Sequence, residues 1–217
     1  KARFDLVALT KKFYRNHDDT TEIMVIFDTA DRGFQDCSAP FAIRNWIHGI
    51  GLTYRGITNE FDFSPDLGSS GRLQTLIYMG PLTQYPADPA QTMPRTSICG
   101  PHSTLSVLAQ EVGHRFLAFP LFVDPATERL SDEMLGRDFI HWSFFFHSDG
   151  SIMEGNRIED KGASAAPRFE TKEILQHFSA LDRYFMGLEA PENVPASFVV
   201  RNPSILSSAF SRDRAPQ

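Results

Sequence analysis

The chain has 217 residues, 41% of them apolar, which is enough to bury a core in one large domain or two small lobes. A net charge of −6, a pI near 5.6 and scattered arginines argue against a nucleic-acid surface or an anionic membrane as the partner. The apolar runs are shorter than the roughly 20 residues that span a bilayer, so no membrane insertion is expected. The chain begins at Lys1 without a methionine or a signal peptide, which suggests a processed protein or an excised fragment.

The first half of the chain predicts two buried strands separated by less regular segments. Residues 21–27 form an unbroken β-branched and aromatic run typical of a central strand, and residues 72–79 predict a second strand. Residues 39–51 mix apolar and polar side chains and fit either a short helix or a covering segment. Five prolines within residues 80–102 predict an ordered surface loop without regular elements.

The next segment predicts the clearest helix of the chain. Ser103 or Thr104 can cap its start, and Pro120 is expected to end it. Apolar residues recur at four-residue intervals, and two more widen the apolar face: Leu108, Val112 and Phe116, with Leu105 and Leu117.

The second half predicts an aromatic core segment, a helix and a tail. Residues 139–146 are dense in aromatic side chains and predict a buried strand or a core-lining segment. The apolar spacing in residues 172–184 predicts a short amphipathic helix that leads into Met186. The proline-rich and serine-rich residues 191–217 are expected to be a C-terminal extension or linker.

The chain has only two cysteines, Cys37 and Cys99, and both lie among turn-forming residues. They fit either one disulfide or two unrelated free thiols, because connectivity cannot be read from the sequence. Two cysteines this far apart do not form a zinc knuckle.

Metal chemistry is predicted on the helix that carries Gln110, Glu111 and His114. Positions 110 and 114 lie four residues apart and project from one face, with Glu111 beside them. In an H-E-x-x-H helix, two imidazoles bind zinc and the glutamate takes a proton from the metal-bound water. Gln110 departs from this pattern, since its neutral amide oxygen is a weaker zinc ligand than imidazole. Glu111 and His114 alone also fit an ordinary solvated or capped pair.

Several stretches of the chain share a pattern with a known protein family. They are GRLQ at 71–74, MG at 79–80, YP at 85–86, Pro89, LSVLAQEVGHRF at 105–116, HW at 141–142 and LDRYFMGL at 181–188. Together they resemble secreted bacterial zincin-like metallopeptidases, whose helix has the form H-E-x-G-H-R-W. This chain departs from that form at Gln110 and, more mildly, at Phe116.

The resemblance implies an α+β, zincin-like catalytic domain over residues 1–190. A mixed-sheet upper lobe, about residues 1–119, would carry the active-site helix, and a smaller, irregular lower lobe would follow over about residues 120–190. The strand at 72–79 would border the substrate cleft. The resemblance also implies a secreted or extracytoplasmic protein, a zinc or other divalent metal cofactor, and a protein or peptide substrate.

A third metal ligand is expected downstream of the helix. His141 is the choice because the family pattern shares it, although a histidine in an aromatic segment also fits a neutral core residue. His147 and Glu154 are alternative ligands or residues that orient a ligand, and Glu154 also fits a turn carboxylate. Met186 resembles a methionine turn beneath a metal site, although a methionine after an amphipathic helix is more often part of the core.

Two functions follow from these observations. The first is a metal-dependent peptidase in which Glu111 is the general base for a metal-bound water, with His114, His141 and Gln110 at the metal. The second is a catalytically impaired zincin-like module that binds a peptide or glycan in its cleft, and Gln110 favours it. Subsite preference and oligomeric state are beyond the sequence.

Overall fold

The computed structural model describes residues 5–31, 33–34, 36–46, 53–54, 57–58, 60–116, 120–172 and 177–203. The chain divides into two compact units, Lys1–Arg115 and Phe116–Gln217. The sequence predicted the boundary between two lobes a few residues later, at about residues 119 and 120. Each unit combines short helices with small sheets, so the fold is α+β as predicted. Over the part of the chain that is described, no helix combines the length and apolar character needed to span a bilayer.

The first unit is built around a three-stranded sheet. Its helices and strands are α1 (Leu6–Tyr14), β1 (Ile23–Asp28), β2 (Ala39–Ala42), β3 (Arg44–Asn45), β4 (Thr53–Tyr54), β5 (Ile57–Thr58), β6 (Phe61–Asp62), β7 (Thr75–Pro81) and α2 (Thr104–Gly113). The main sheet has the order β1-β7-β2, with β7 parallel to β1 and antiparallel to β2. The strand pairs β3–β6 and β4–β5 are antiparallel.

Strand β7 is the middle strand of this sheet and is buried along its whole length. Strands form at both predicted segments, 21–27 and 72–79, with shifted ends. The prediction of a buried central strand at 21–27 is wrong, because β1 has an outer position in the sheet and is only partly buried, whereas β7 is the strand covered on both faces. Because β7 has a strand on each side, β1 and β2 are the sheet's edges. The expectation that the strand at 72–79 borders a substrate cleft stays a prediction.

Two segments around this sheet differ from or refine the predictions. Residues 39–45 form β2 and β3 rather than a helix, while residues 47–51 of the same predicted segment lie outside the described residues. The loop at 80–102 is irregular as predicted, apart from the end of β7 and a short 3-10 turn at Leu82–Gln84.

Helix α2 begins where the sequence predicted and ends earlier. The Ser103 side chain accepts a hydrogen bond from the Ser106 backbone N–H, and the Ser106 side chain accepts one from Ser103 in return. The helix ends at Gly113 rather than near Pro120, because glycine is a poor helix former and the last turn tightens. Leu117 lies outside the described residues.

One face of α2 packs against the sheet. Val107, Leu108 and Val112 contact a buried cluster with residues of β7 and the following loop: Ile77, Met79, Met93 and Cys99. Leu105, which was predicted to widen the apolar face, is instead 53% exposed. The face of α2 that packs on this cluster therefore consists of Val107, Leu108 and Val112, without Leu105.

The second unit has two hairpins and one short helix among its described residues. These are β8 (Phe122–Asp124) paired with β9 (Arg129–Ser131), β10 (Ile158–Asp160) paired with β11 (Phe169–Thr171), and α3 (Ala180–Phe185). Residues 139–146 form turns and isolated bridges, so the strand alternative for this tract is wrong. Trp142 and Phe146 are nevertheless buried, which confirms the core-lining alternative. Left-handed backbone at Asp138 and Phe139 interrupts any extended run there.

Helix α3 occupies only the end of the predicted helix at 172–184. Ser179 caps it by accepting a hydrogen bond from the backbone N–H of Asp182, and residues 173–176 lie outside the described residues. In the tail, Val199 forms a bridge with Phe146 of the same unit, and residues 204–217 are not described.

Candidate functional site

The end of helix α2 carries the first set of candidate residues, Gln110, Glu111 and His114, which we call the α2 group. Gln110 and Glu111 lie in the last turn, and His114 is the C-cap residue with φ of −57° and ψ of −22°. Because His114 keeps helical dihedral angles, positions 110 and 114 remain one turn apart on the same face. Both residues are half-buried.

Glu111 is held between the helix and a disulfide-linked segment. It is 4% exposed, and its Oε1 accepts a hydrogen bond from the Ser38 hydroxyl. Ser38 directly follows Cys37, which forms a disulfide with Cys99. Cys99 belongs to the same apolar cluster as Val107 of α2. The disulfide, one of the two states that the sequence left open, therefore fixes the Ser38 segment beside the helix.

Tyr85 is a further polar group near Glu111. Its hydroxyl is 2.8 Å from the Met79 carbonyl and 3.0 Å from the Cys37 carbonyl, and its single proton is shared between these two acceptors. Burial raises the pKa of Tyr85 to about 12, and the negative charge of Glu111 acts in the same direction. Tyr85 is therefore a neutral hydrogen-bond donor at physiological pH.

Arg115 anchors the C-terminal end of α2 in the first unit. Its Nε and Nη2 donate to the side-chain oxygen of Gln74 at 2.9 and 2.6 Å, and Arg115 is buried. Gln74 directly precedes β7. Two of the stretches that carry the family resemblance are thus in direct contact.

The second unit carries Arg137, His141 and Glu154, which we call the His141 group. His141 is 4% exposed. Its Nδ1 is 2.8 Å from the Arg137 backbone carbonyl, and its Nε2 is 3.0 Å from Nη2 of the Arg137 side chain. A carbonyl only accepts and a guanidinium only donates, so Nδ1 carries the proton and Nε2 presents the lone pair. Burial lowers the pKa of His141, which keeps the ring neutral.

Glu154 completes the group. Its Oε1 is 3.5 Å from Nε2 of His141 and 2.5 Å from Nη2 of Arg137, and its Oε2 is 3.2 Å from Nε of Arg137. The guanidinium therefore makes a two-pronged ion pair with Glu154 while it also donates to His141.

The backbone around this group is held by neighbouring turns and is locally strained. Trp142 donates its backbone N–H to the Met153 carbonyl at 3.0 Å, which ties the His141 segment to the turn that carries Glu154. Asp138, Phe139 and Glu154 all have φ between 57° and 60°. Non-glycine residues in this region cost free energy and cluster at functional sites.

Helix α3 supports His141 through the next residue in the chain. The Trp142 indole N–H donates to Asp182 at 2.8 Å, and Asp182 also accepts from Ser151 Oγ at 2.5 Å and Ser179 N–H at 2.6 Å. Asp182 is fully buried, and burial raises its pKa despite these hydrogen bonds. This carboxylate therefore organises the core beside His141.

The remaining predicted residues lie in helix-ending or packing positions. His147 accepts the Ile158 backbone N–H on Nδ1 at 2.9 Å and stacks on Phe198, with ring centroids 5.0 Å apart. Burial lowers the pKa of His147. Because Nδ1 accepts the Ile158 N–H, the proton of the neutral ring is on Nε2, and a metal-ligand role for His147 requires a different hydrogen-bonding arrangement. Met186 is the C-cap residue of α3, ahead of left-handed Gly187.

Three residues that contact the candidate residues or their neighbours were not predicted from the sequence: Ser38, Arg137 and Asp182. Arg137 and Ser38 come from irregular segments, and no periodic signal relates either to its partner. Asp182 had a signal, because it is a carboxylate inside one of the stretches shared with the family and adjoins the apolar residues of a helix.

The described part of neither unit brings three or more His, Cys, Asp or Glu side chains close enough to hold a metal ion. Comparisons of the chain with protein-family models, curated proteins and solved structures found no match.

Proposed function

We propose that the chain is a metal-dependent peptidase with a zincin-like fold. In this proposal Glu111 is the general base, His114 and His141 bind the metal, and Gln110 or Glu154 adds a further ligand. The hydrogen bonding of His141 carries the proposal. Its Nδ1–H donates to a backbone carbonyl and its Nε2 presents a lone pair, as in histidines that bind metal.

The His141 group supplies two donors of kinds that zinc binds, an imidazole and a carboxylate. Imidazole and carboxylate are both common zinc ligands, and two ligand atoms on one tetrahedral zinc are about 3.4 Å apart. Nε2 of His141 and Oε1 of Glu154 are 3.5 Å apart. The His141 side chain lies among apolar residues: Leu135, Ile140, Trp142 and Met153.

The residues of the α2 group have the chemistry that peptide hydrolysis needs. Zinc, when bound, lowers the pKa of a water molecule toward 7 and polarises a carbonyl group. Glu111 accepts a proton from the attacking water and returns it to the leaving amine. The Ser38 hydroxyl donates to one oxygen of Glu111 and thereby orients the carboxylate.

We further propose a secreted or extracytoplasmic location and a protein or peptide substrate. Disulfides persist in oxidising compartments and are rare in the cytosol, so the bond between Cys37 and Cys99 supports the location. The substrate class rests on the family resemblance.

The alternative function is a catalytically impaired zincin-like module that binds a peptide or glycan. Two observations favour it. Gln110 replaces an imidazole, and the Arg137 guanidinium donates to Nε2 of His141, the atom that a metal needs.

Metal analysis separates the two functions. The purified chain is analysed before and after zinc loading, and cleavage of an unfolded protein is measured with and without a chelator. The peptidase hypothesis expects one metal ion per chain and cleavage that the chelator abolishes. A metal content near zero with no cleavage contradicts it and supports the binding module.

Substitution of Glu111 tests the proposed general base. Glu111→Gln is expected to lower kcat/KM by about 10²–10⁴-fold while zinc stays bound, because proton transfer is lost and the metal ligands are intact. The control is Glu22→Gln, an exposed glutamate of the same unit. Wild-type turnover in Glu111→Gln would contradict the assignment.

Substitution of His114 tests the proposed ligand. His114→Ala is expected to weaken zinc binding about 100-fold or more, since loss of a residue that merely orients a ligand already costs about 10–100-fold. The control is His17→Ala, an exposed histidine of the same unit. Unchanged zinc affinity in His114→Ala removes this residue from the metal site.

A further inference from the structure

Residues 198–201, which we call the tail segment, lie against the second unit in an antiparallel bridge. The His147 N–H donates to the Phe198 carbonyl at 2.9 Å, and the Val200 N–H donates to the Phe145 carbonyl at 2.8 Å. Pairing of this kind is how an extended peptide adds to the open edge of another segment. The backbone of the tail segment is therefore held as a bound peptide would be.

The first side chain of the tail segment packs against aromatic rings of the same unit. The rings of Phe198 and His147 are nearly parallel, at 5°, with centroids 5.0 Å apart, and the Phe169 ring lies 5.8 Å from Phe198. Aromatic pairs contribute to binding beyond the area that they bury. This end of the segment therefore selects an aromatic residue.

The last side chain of the tail segment is bound by two carboxylates. Nε of Arg201 donates to Oε2 of Glu133 at 2.9 Å, and Nη2 is 3.1 Å from Oδ2 of Asp124. The Asp124 side chain is only 8% exposed, and hydrogen bonds, first that from the Ala126 N–H, hold its pKa below the usual value. Two negative charges thus face one guanidinium, which selects arginine at this position.

The chain on either side of the tail segment differs from it. Residues 195–197, directly before it, are exposed. Asn202, directly after it, has a φ of 51°, so the backbone turns away from the extended direction there. The contacts described above are therefore concentrated in four consecutive residues.

We propose that the second unit has a peptide-binding site, formed by residues 145–147 with Phe169, Asp124 and Glu133, and that the tail segment fills it as a ligand in cis. The site takes an extended peptide that has an aromatic residue three positions before an arginine. Such a peptide from another chain binds when the tail segment is released. The site goes beyond the proposed function, because it uses none of the residues to which that function assigns a role and needs no metal.

The test is the binding of a fluorescent synthetic peptide of residues 195–203 to the whole chain, followed by anisotropy. In the wild type the tethered tail segment competes at high effective concentration, so the peptide binds weakly. The double variant Phe198→Ala, Arg201→Ala loses both anchors of its own tail and is expected to bind the peptide at least about tenfold more tightly. The control peptide has its phenylalanine and arginine exchanged. If the folded double variant binds no better than the wild type, or binds both peptides alike, the site is overturned.

A further substitution tests the arginine end of the site. Glu133→Ala, added to the double variant, is expected to weaken peptide binding about tenfold, because a charge-assisted hydrogen bond is lost. Glu192→Ala in the same background, at an exposed glutamate, is the control. Equal affinities in these two variants would contradict the selection of arginine by Glu133.

Hydrogen exchange in the wild type decides the question even if the double variant does not fold. The N–H groups of His147 and Val200 should exchange through a local opening that low urea concentrations hardly affect, because release of four residues exposes little surface. The Trp142 N–H, which donates to Met153, is the reference for opening of the unit itself. If His147 and Val200 follow the urea dependence of Trp142, the tail segment leaves only when the unit unfolds and is not an exchangeable ligand.

Discussion

Burial gives His141 a measurable pH dependence. Burial lowers the pKa of His141 in the folded chain, whereas in the unfolded chain the ring titrates near its ordinary value of 6.5. Below pH 6.5 the unfolded chain therefore binds more protons than the folded chain. The stability that neutral His141 contributes is fully present above pH 6.5 and is lost as the pH falls through the lowered pKa.

We predict that the chelated wild type loses unfolding free energy as the pH falls below 6.5, and that His141→Gln loses less over the same range. Urea unfolding at a series of pH values measures both slopes. His17→Gln, which replaces an exposed histidine, is the control variant. Identical slopes in the wild type and His141→Gln would show that the ring is not protonated differently in the two states.

Asp182 is the buried carboxylate on which three donors converge. We predict that Asp182→Ala costs about 3 kcal/mol or more of unfolding free energy, because each buried donor left unsatisfied costs about 1–3 kcal/mol. The donors are the Trp142 indole, Ser151 Oγ and the Ser179 N–H. Denaturant unfolding measures the loss, and Glu192→Ala, at an exposed carboxylate of the same unit, is the control expected to change stability little. Similar losses in the two variants would argue against this role for Asp182.

At the scale of elements, the reciprocal cap of α2 secures the helix that carries Glu111. Ser103→Ala is expected to cost about 1 kcal/mol, because Ser103 and Ser106 satisfy backbone N–H groups that the first helical turn leaves open. Thr96→Ala, at an exposed position of the preceding loop, is the control. The difference in urea midpoint between these variants measures the cap, and equal midpoints contradict the prediction.

The elements that the sequence predicted well are those with one dominant local signal. The apolar runs at 21–27 and 72–79 formed paired strands. Helix α2 begins directly after Ser103, because serine is a preferred N-cap residue. The aromatic tract at 139–146 has the composition of a strand, yet left-handed residues beside it turn the backbone away. Side-chain burial was thus predictable there, and backbone conformation was not.

The sequence likewise predicted some features of the candidate site and missed others. Helical spacing placed Gln110 and His114 on one face from the sequence alone. The contacts of His141 with Arg137 and of Glu111 with Ser38 join loop residues to distant or irregular segments. No periodicity encodes such pairs, so they emerge only when the chain is folded.

At the scale of the whole molecule, each unit has its own means of holding candidate residues in place. The His141 group is held by turns and by the buried Asp182. The α2 group is held by helix packing and by a covalent bond, because Cys37 and Cys99 both belong to the first unit. Stability of the first unit should therefore depend on redox state.

The disulfide spans 62 residues of sequence, and closure of a loop of that length stabilises the folded state by about 4 kcal/mol in the chain-entropy description. We predict that reduction lowers the unfolding free energy by about this amount and speeds amide exchange in β7 and α2. Hydrogen exchange with and without a reductant measures it. In the Cys37→Ser, Cys99→Ser double variant, amides of β7 and α2 should exchange as fast as in the reduced wild type. The reductant should not change these rates, since the variant has no disulfide to break. Unchanged exchange in β7 and α2 on reduction would mean that helix packing alone holds Glu111 beside Ser38.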